Sequence, residues 1–445
     1  MTILRNVGKK IQTILGTKAD ALGETTGFIK RKRKFTGSTF IKTLVFGWMQ
    51  TPQATLEELV QAGVLNDIEI SAQGLDKRFT PKSADLARAV LEQAVAEAVR
   101  APNAVPIELL NRFSSVTLFD TTILNLPDEL YQVWAGTGGN GPTSRSALKG
   151  EIGYDLKTGQ LIGPLLLPGK THDNAGKLPQ MELEECSLQI ADLGYFSIAK
   201  MAENFDANVF CLSRLRHDAV LFDEQEEEFD LSLYTLFMKK NNRLRAELNV
   251  LLVRYEKLPV RLFIERVPEM ISSKRRRQAN KGASKKKKGK TASKKSLSLC
   301  DFTLLVTTAP SVQLSFDEAL VLYGARWQIE LLFKLWKSHA KLDTSIRPNP
   351  WRICRYIYIK LLACLVQHWI ILMGCWNHPS LRLVKAAQVI RNNANLIAVS
   401  FISKSKMLEA FGIIMRCFAH CCKQNSRRKH PNTWKTLIEG KPKWA

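Results

Sequence analysis

Between residues 40 and 101 apolar positions recur with helical period, and the pattern predicts a helical region. Thr55-Leu56-Glu57-Glu58-Leu59-Val60 opens one helix with an N-cap threonine and early acids that suit the positive end of the helix dipole. Gly63 signals a turn, Ile70–Phe79 predicts a second helix, and Ala84–Val99 predicts an amphipathic third with Ser83 as its cap. Helix, short glycine-containing turn and helix is the order of a helix-turn-helix, and equally of any small helical bundle.

From Ser115 the pattern shifts to strands. Val116–Asp120 is a short apolar run ending in an acid, and Leu148–Leu156 and Gln160–Leu167 flank the turn signal Lys157-Thr158-Gly159. A helix is expected over Leu178–Ser187, a strand over Leu188–Ala191 ending at Asp192, then a helix and a strand over Ala207–Ser213. This alternation predicts a mixed α/β sheet flanked by helices. Residues 217–298 break it with an acidic stretch, strand-like runs at Leu248–Arg254 and Val260–Arg266, and a lysine-rich segment, read as a small antiparallel sheet with a disordered basic loop. A strand at Phe302–Thr307, a long helix over Phe316–Lys341 and apolar helices over Trp351–Leu372 and Ser380–His420 follow. The expected organisation is a helical region over 1–105, the main α/β domain over 106–216 and 299–345, a β-rich insertion over 217–298, and a helical region over 346–445.

Charge then narrows the partner. The 445 residues carry a formal net charge of +24, and the run Lys274–Lys295 holds 12 Lys and Arg with no acid. Half the excess is therefore local and half spread, which favours an anionic polymer whose counterions are released on binding. Nucleic acid is the first expectation and an anionic membrane surface the second. The longest apolar stretch, Ile357–Met373, is interrupted by Lys360, Gln367 and His368, so a buried helix is expected there rather than a membrane span. The N-terminus is basic without a sustained apolar core, unlike a secretory signal; the first 40 residues, ending in Lys30–Lys34, read as a DNA-gripping arm or a frayed end. No two of the nine cysteines form a Cys-x-x-Cys pair, which points to reduced thiols in a cytoplasmic protein; Cys417, His420, Cys421 and Cys422 are the alternative zinc set.

The candidate chemistry lies in acids. Asp120 and Asp192 each end an apolar strand, where an unpaired charge is expensive. Two such carboxylates side by side repel, and a divalent cation between them removes the conflict. Either could instead be an ordinary strand-end aspartate. On the long helix, Tyr323, Arg326, Glu330 and Lys337 fall in a sector roughly 60° wide at about 100° per residue. That face is either a solvated salt-bridge face or a metal ligand among phosphate clamps.

Tyr323, Arg326, Glu330 and Lys337 meet in full the pattern Tyr-x(2)-Arg-x(3)-Glu-x(6)-Lys, and the sequence resembles the bacterial insertion-sequence DDE transposases of group four, which carry this signature. In that family the first aspartate precedes small hydroxylated residues, as in Phe119-Asp120-Thr121-Thr122, and the second lies in Asp-x-Gly-Tyr-Phe, as in Asp192-Leu193-Gly194-Tyr195-Phe196. Three motifs in the right order are far more specific than one. The resemblance implies a ribonuclease-H-like catalytic domain in which Asp120, Asp192 and Glu330 hold two divalent cations, Mg²⁺ or Mn²⁺. It implies DNA contacts for Tyr323, Arg326 and Lys337, with Arg214 similar to a further phosphate-binding arginine. The implied partners are double-stranded DNA, both element ends and target, and a second copy of the chain in the synaptic complex, with no membrane and a cytoplasmic, nucleoid-associated setting. The implied activity is cutting at element ends and joining them to target DNA. A structure-selective nuclease and a non-catalytic DNA-binding derivative remain the rivals.

One departure concerns base stacking. The family's tryptophan platform has no counterpart between Asp192 and Arg326, leaving Tyr255, Phe263 or Phe302 as substitutes. His172 and Asp173 are expected in strand-end packing or near the site.

Overall fold

The computed structural model describes residues 2–31, 35–136, 138, 145–172, 184–253, 257–286, 290–343, 349–378, 380–423 and 433–440. Among the described residues nine strands alternate with helices in a mixed α/β arrangement: β1 Val116–Leu126, β2 Ser146–Asp155, β3 Leu161–Pro168, β4 Leu188–Ala191, β5 Phe210–Arg214, β6 Val220–Phe222, β7 Arg245–Val253, β8 Lys257–Arg266 and β9 Phe302–Thr307. Two compact units form. One comprises Met1–Pro106, Thr121–Met181 and Gln328–Lys429; the other comprises Ile107–Asp120, Glu182–Trp327 and His430–Ala445.

The first unit is organised on the helix Pro350–Gly374. Asn349 caps it by accepting from the Arg352 amide at 3.2 Å, and Pro350 occupies the first turn, where its missing N–H is no loss. Residues Ile353–Met373 are buried without interruption, as expected of a helix that is apolar all round. It is the one described helix long and apolar enough to cross a membrane, and 94% of its most apolar window is buried inside the protein. The helices Gly37–Gln50 and Pro81–Val95 pack on it, with Trp48 edge-on to Tyr356 at 5.0 Å. The β2–β3 hairpin also rests on it. Gly159, at φ +73° in the connecting turn, lies where a Cβ would come within 2.4 Å of Leu372, and its carbonyl meets His368 Nε2 at 2.7 Å. Burial pushes the His368 imidazole down to about 4, so it stays neutral and serves packing.

The second unit holds a sheet in the order β1-β4-β5-β9-β8-β7-β6. β1, β4 and β5 run parallel, and β5 to β9, β8, β7 and β6 are antiparallel neighbours. Side-chain alternation sends Leu258, Val260, Leu262, Ile264, Leu304 and Val306 to one face. There they pack with Met201 of helix Ile198–Asp206, Leu231 and Met238 of helix Leu231–Lys240, and Leu299. Each such leucine or valine stabilises the fold by about 1.5–3 kcal/mol when fully buried. On the opposite face Phe263 meets Phe316 at 5.0 Å, and Arg245 pairs with Asp317 at 2.8 Å, fixing the helix Phe316–Ala325 against the sheet.

Several expectations need correction. The first residues are neither arm nor frayed end: helices Thr2–Gln12 and Ala19–Thr25, joined by a π-helical turn, bury Val7, Ile11, Ile14 and Leu15 completely; Lys32–Lys34 lie outside the described residues. Thr55 caps its helix in a reciprocal capping box with Glu58, as expected, but Thr80 rather than Ser83 caps Pro81–Val95, because Pro81 takes the first helical position. β1 runs past Asp120 to Leu126. Of the helix expected over Leu178–Ser187, residues 178–183 lie outside the described residues and 184–187 form a turn. The lysine-rich segment is helical over Glu269–Lys286 and Lys294–Leu299, with 287–289 outside the described residues. β6–β8 are not a separate sheet, since β8 pairs with β9 over six residues. The helix expected over Phe316–Lys341 comprises Phe316–Ala325, Trp327–Lys334 and a π-helical turn Leu335–His339, and Ser380–His420 resolves into three shorter helices plus a 3₁₀ turn.

Candidate active site

Parallel pairing of β1 with β4 aligns Phe119 with Ala191, and pairing of β4 with β5 aligns Ala191 with Ser213. One residue further along this register stand Asp120, Asp192 and Arg214, a row across three neighbouring strands about 4.8 Å apart. Each side chain keeps access to solvent; Asp120 is 18% exposed and Asp192 39%. Asp192 occupies the position before a 3₁₀ turn, Leu193–Tyr195, yet makes no capping bond with its side chain.

The helix Phe316–Ala325 supplies the groups that meet these acids. Ser315 and Glu318 close its first turn in a capping box, and Arg112 pairs with Glu318 at 2.9 Å. At its other end the Tyr323 hydroxyl donates to Asp192 Oδ1 at 3.1 Å. Arg326 Nη1 donates to Asp120 Oδ2 at 3.1 Å, and its Nε lies 4.0 Å from Asp192 Oδ1. One guanidinium thus meets both carboxylates. Burial and the Asp192 charge push the Tyr323 phenol far up, with Arg214 and Arg326 partly offsetting this, so the hydroxyl stays protonated and available as a donor.

Glu330 and Lys337 belong to the other unit. Glu330 is half-buried on helix Trp327–Lys334, four residues beyond Arg326. Lys337 lies in the π-helical turn and donates to the Ile123 carbonyl at 2.8 Å, three residues beyond Asp120 in β1. That turn is held by cations that sequence reasoning missed. Lys360 donates to the Ala340 carbonyl at 2.7 Å, to the Lys341 carbonyl at 2.9 Å and to the Tyr356 hydroxyl; Arg391 donates to the His339 carbonyl at 2.9 Å. They satisfy carbonyls that a helix end leaves without partners. The signal was a lone lysine inside an apolar run.

Asp120 and Asp192 offer adjacent, partly exposed oxygen donors of the kind hard divalent cations take. Their charge is met here by Arg326, a cationic group standing in the relation to the pair that an inorganic ion would take. Among the described residues no three His, Cys, Asp or Glu side chains converge as a metal site, which includes the Cys417–Cys422 region. Phe263 and Phe302 are buried in the sheet at 1% and 3% exposure, so neither is a base-stacking platform; Tyr255 lies outside the described residues. His172 is exposed rather than packed at a strand end, and Asp173 lies outside the described residues.

Comparison with known proteins bears on the same residues. The family profile described as a transposase DDE domain matches residues 111–366, which include the acid pair, Tyr323, Arg326, Glu330 and Lys337. The chain is 26% identical to the transposase for insertion sequence element IS231B of Bacillus thuringiensis subsp. berliner, over 94% of this chain and 91% of that one. Similarity to the IS231C transposase of the same subspecies is 25% over the same shares. To the transposase for insertion sequence element IS1151 of Clostridium perfringens it is 23%, over 79% of this chain and 77% of that one.

Proposed function

Because the chain belongs to the transposase DDE-domain family, among the insertion-sequence transposases, we propose that it cuts DNA at the ends of its element and joins them to target DNA. The reading places Asp120, Asp192 and Glu330 as metal ligands on a ribonuclease-H-like core. The observation that carries it is the juxtaposition of Asp120 and Asp192 on parallel neighbours, under the two signature residues Tyr323 and Arg326.

Two Mg²⁺ or Mn²⁺ ions, when held by the three carboxylates, supply Lewis-acid charge to the phosphate and make water a better nucleophile. The protein's own groups do the rest. Asp120 and Asp192 would fix the cation position from neighbouring strands, and Glu330, four residues past Arg326 along the chain, completes the set in this reading. Tyr323 keeps its proton and orients the Asp192 carboxylate. Arg326, which offsets both acids, carries a planar fork that suits two phosphate oxygens. Hydrolysis breaks the phosphodiester at the element end and leaves a 3′-hydroxyl; attack by that hydroxyl on a target phosphodiester forms one bond and breaks another. The N-terminal helices read the element ends, the C-terminal helices support pairing of two protomers, and the protein acts in the cytoplasm on the nucleoid.

The test is strand transfer of a labelled DNA end into supercoiled plasmid in Mg²⁺. Joined product from the wild type, and none from Asp192→Asn, is expected. Hydrolysed ends without joined product would instead mark a nuclease, and activity surviving Asp192→Asn would remove this acid from the reaction.

A further inference from the structure

Lys360 lies within the first unit's central helix, Pro350–Gly374, at 1% exposure, where an apolar side chain would serve packing as well. A lysine so buried needs an acceptor for each of its three protons. It finds all three at one place: the Ala340 carbonyl at 2.7 Å, the Lys341 carbonyl at 2.9 Å, and the Tyr356 hydroxyl. That hydroxyl in turn donates to the Lys341 carbonyl at 3.1 Å. Arg391, from the helix Leu383–Asn392, adds the His339 carbonyl at 2.9 Å. Three successive carbonyls, those of residues 339, 340 and 341, are thus held by side chains from two other helices.

The segment held in this way ends the helical run that begins with Trp327–Lys334 and carries Glu330 and Lys337. Its end is irregular twice over. Leu335–His339 is a π-helical turn, and Lys341 follows at φ +52°, a left-handed conformation that glycine takes without strain and lysine does not. The Leu342 amide closes the turn on the Trp336 carbonyl at 3.3 Å. A glycine at 341 would end the helix unaided. Here the strain persists because Lys360 and Tyr356 fix the Lys341 carbonyl, and backbone strain that its surroundings over-determine clusters at functional sites. Apolar packing is non-directional. Hydrogen bonds to three named carbonyls, by contrast, fix a helix both along its axis and in its rotation about it. Lys337 tethers the same turn to β1 through the Ile123 carbonyl.

We propose that Lys360, Tyr356 and Arg391 are positioning residues for the reaction: by clamping residues 339–341 they set the height and rotation of the helix that presents Glu330 and Lys337. The proposal rests on the transposase reading, in which Glu330 is a metal ligand. The clamp residues touch neither metal nor DNA; they act through the helix.

The experiment is Mn²⁺ binding by the full chain on saturating element-end duplex, read by isothermal titration beside the melting temperature. Lys360→Met should weaken Mn²⁺ binding about tenfold, the low end of what loss of a supporting group does to a metal site. Tyr356→Phe keeps the shape and removes one hydroxyl, so it should weaken binding about threefold. Leu362→Ala, a cavity in the same helix away from the clamp, should lower the melting temperature and leave Mn²⁺ affinity at the wild-type value. If Lys360→Met does not fold, Tyr356→Phe and Arg391→Met decide in its place. Wild-type affinity in the clamp variants overturns the proposal, as does an equal weakening in Leu362→Ala, which would mark general loosening of the core. Glu330→Gln separates the two levels. Weakened binding there with wild-type affinity in Lys360→Met defeats only the clamp, whereas wild-type affinity in Glu330→Gln defeats the reading of Glu330 and the clamp with it.

Discussion

The two halves of the second unit's sheet handle charge in opposite ways. In the antiparallel half, β7 and β8 pair over nine residues, and charges on their outer face cancel laterally: Arg245 with Glu265 at 2.8 Å, Arg261 with Glu247 at 2.6 Å. In the parallel half the ladders are four residues long and end in a row that sets two like charges side by side, Asp120 beside Asp192, with Arg214 on the next strand. Cross-strand opposite pairs add a few tenths to about 1 kcal/mol each to a sheet, whereas like charges side by side subtract from it. Selection for stability alone produces the first pattern. The second persists where a ligand of opposite sign restores the balance.

The sharpest break of this comparison is a pair of isosteric changes. Asp120→Asn removes both the repulsion from Asp192 and the charge that Arg326 offsets, so the melting temperature should change little, while cleavage of element-end DNA falls on the order of a thousandfold, several kcal/mol of transition-state stabilisation. Glu265→Gln, in the other half, should behave inversely: a loss of about 1–3 kcal/mol in denaturant unfolding, because the buried Glu265 gives up its charged bond to Arg245, with cleavage per folded molecule preserved. Both variants losing stability alike would erase the distinction. A second effect concerns the stand-in cation. In Arg326→Met the two acids lose their guanidinium, and Mg²⁺ should raise the melting temperature more than it does in the wild type. An equal rise in Arg326→Met carrying Asp192→Asn would place the binding elsewhere.

The smallest effect lies in the first unit, where Lys360 is isolated from any comparable row of charge. Burial pulls its ammonium down to about 7, below the value of an unfolded lysine. Between those two values the unfolded chain binds a proton that the folded chain does not, so stability rises with pH across that window. The melting temperature of the wild type relative to Lys360→Met should therefore increase from pH 6 to pH 9. A flat or falling difference would mean that the three oxygens around Lys360 hold its proton against burial.

What could be read in the sequence was local. β4 ending just before Asp192, the turn at Lys157–Gly159, β9 and the Thr55 cap each follow from alternation, turn chemistry or capping within a few residues. The acid triad came from motif order, and the structure brings two of its members beside Tyr323 and Arg326. What escaped depends on distant partners. Val7, Ile11, Ile14 and Leu15 have helical spacing, but the surrounding basic residues masked it. Lys274, Arg275, Arg276 and Arg277 are indistinguishable by composition; only β9 under Arg275 and Asp301 under Arg276 give them different places in the fold. The pairing of β8 with β9, which draws the insertion into the main sheet, joins segments some 40 residues apart and leaves no trace in periodicity.

The most direct test of the central claim is Mn²⁺ binding by the wild-type protein on element-end DNA, read by isothermal titration and compared with Asp120→Asn, Asp192→Asn and Glu330→Gln. The account predicts two sites per protomer in the wild type and loss or at least about tenfold weakening in every variant. Unchanged stoichiometry and affinity in any one of the three would contradict it.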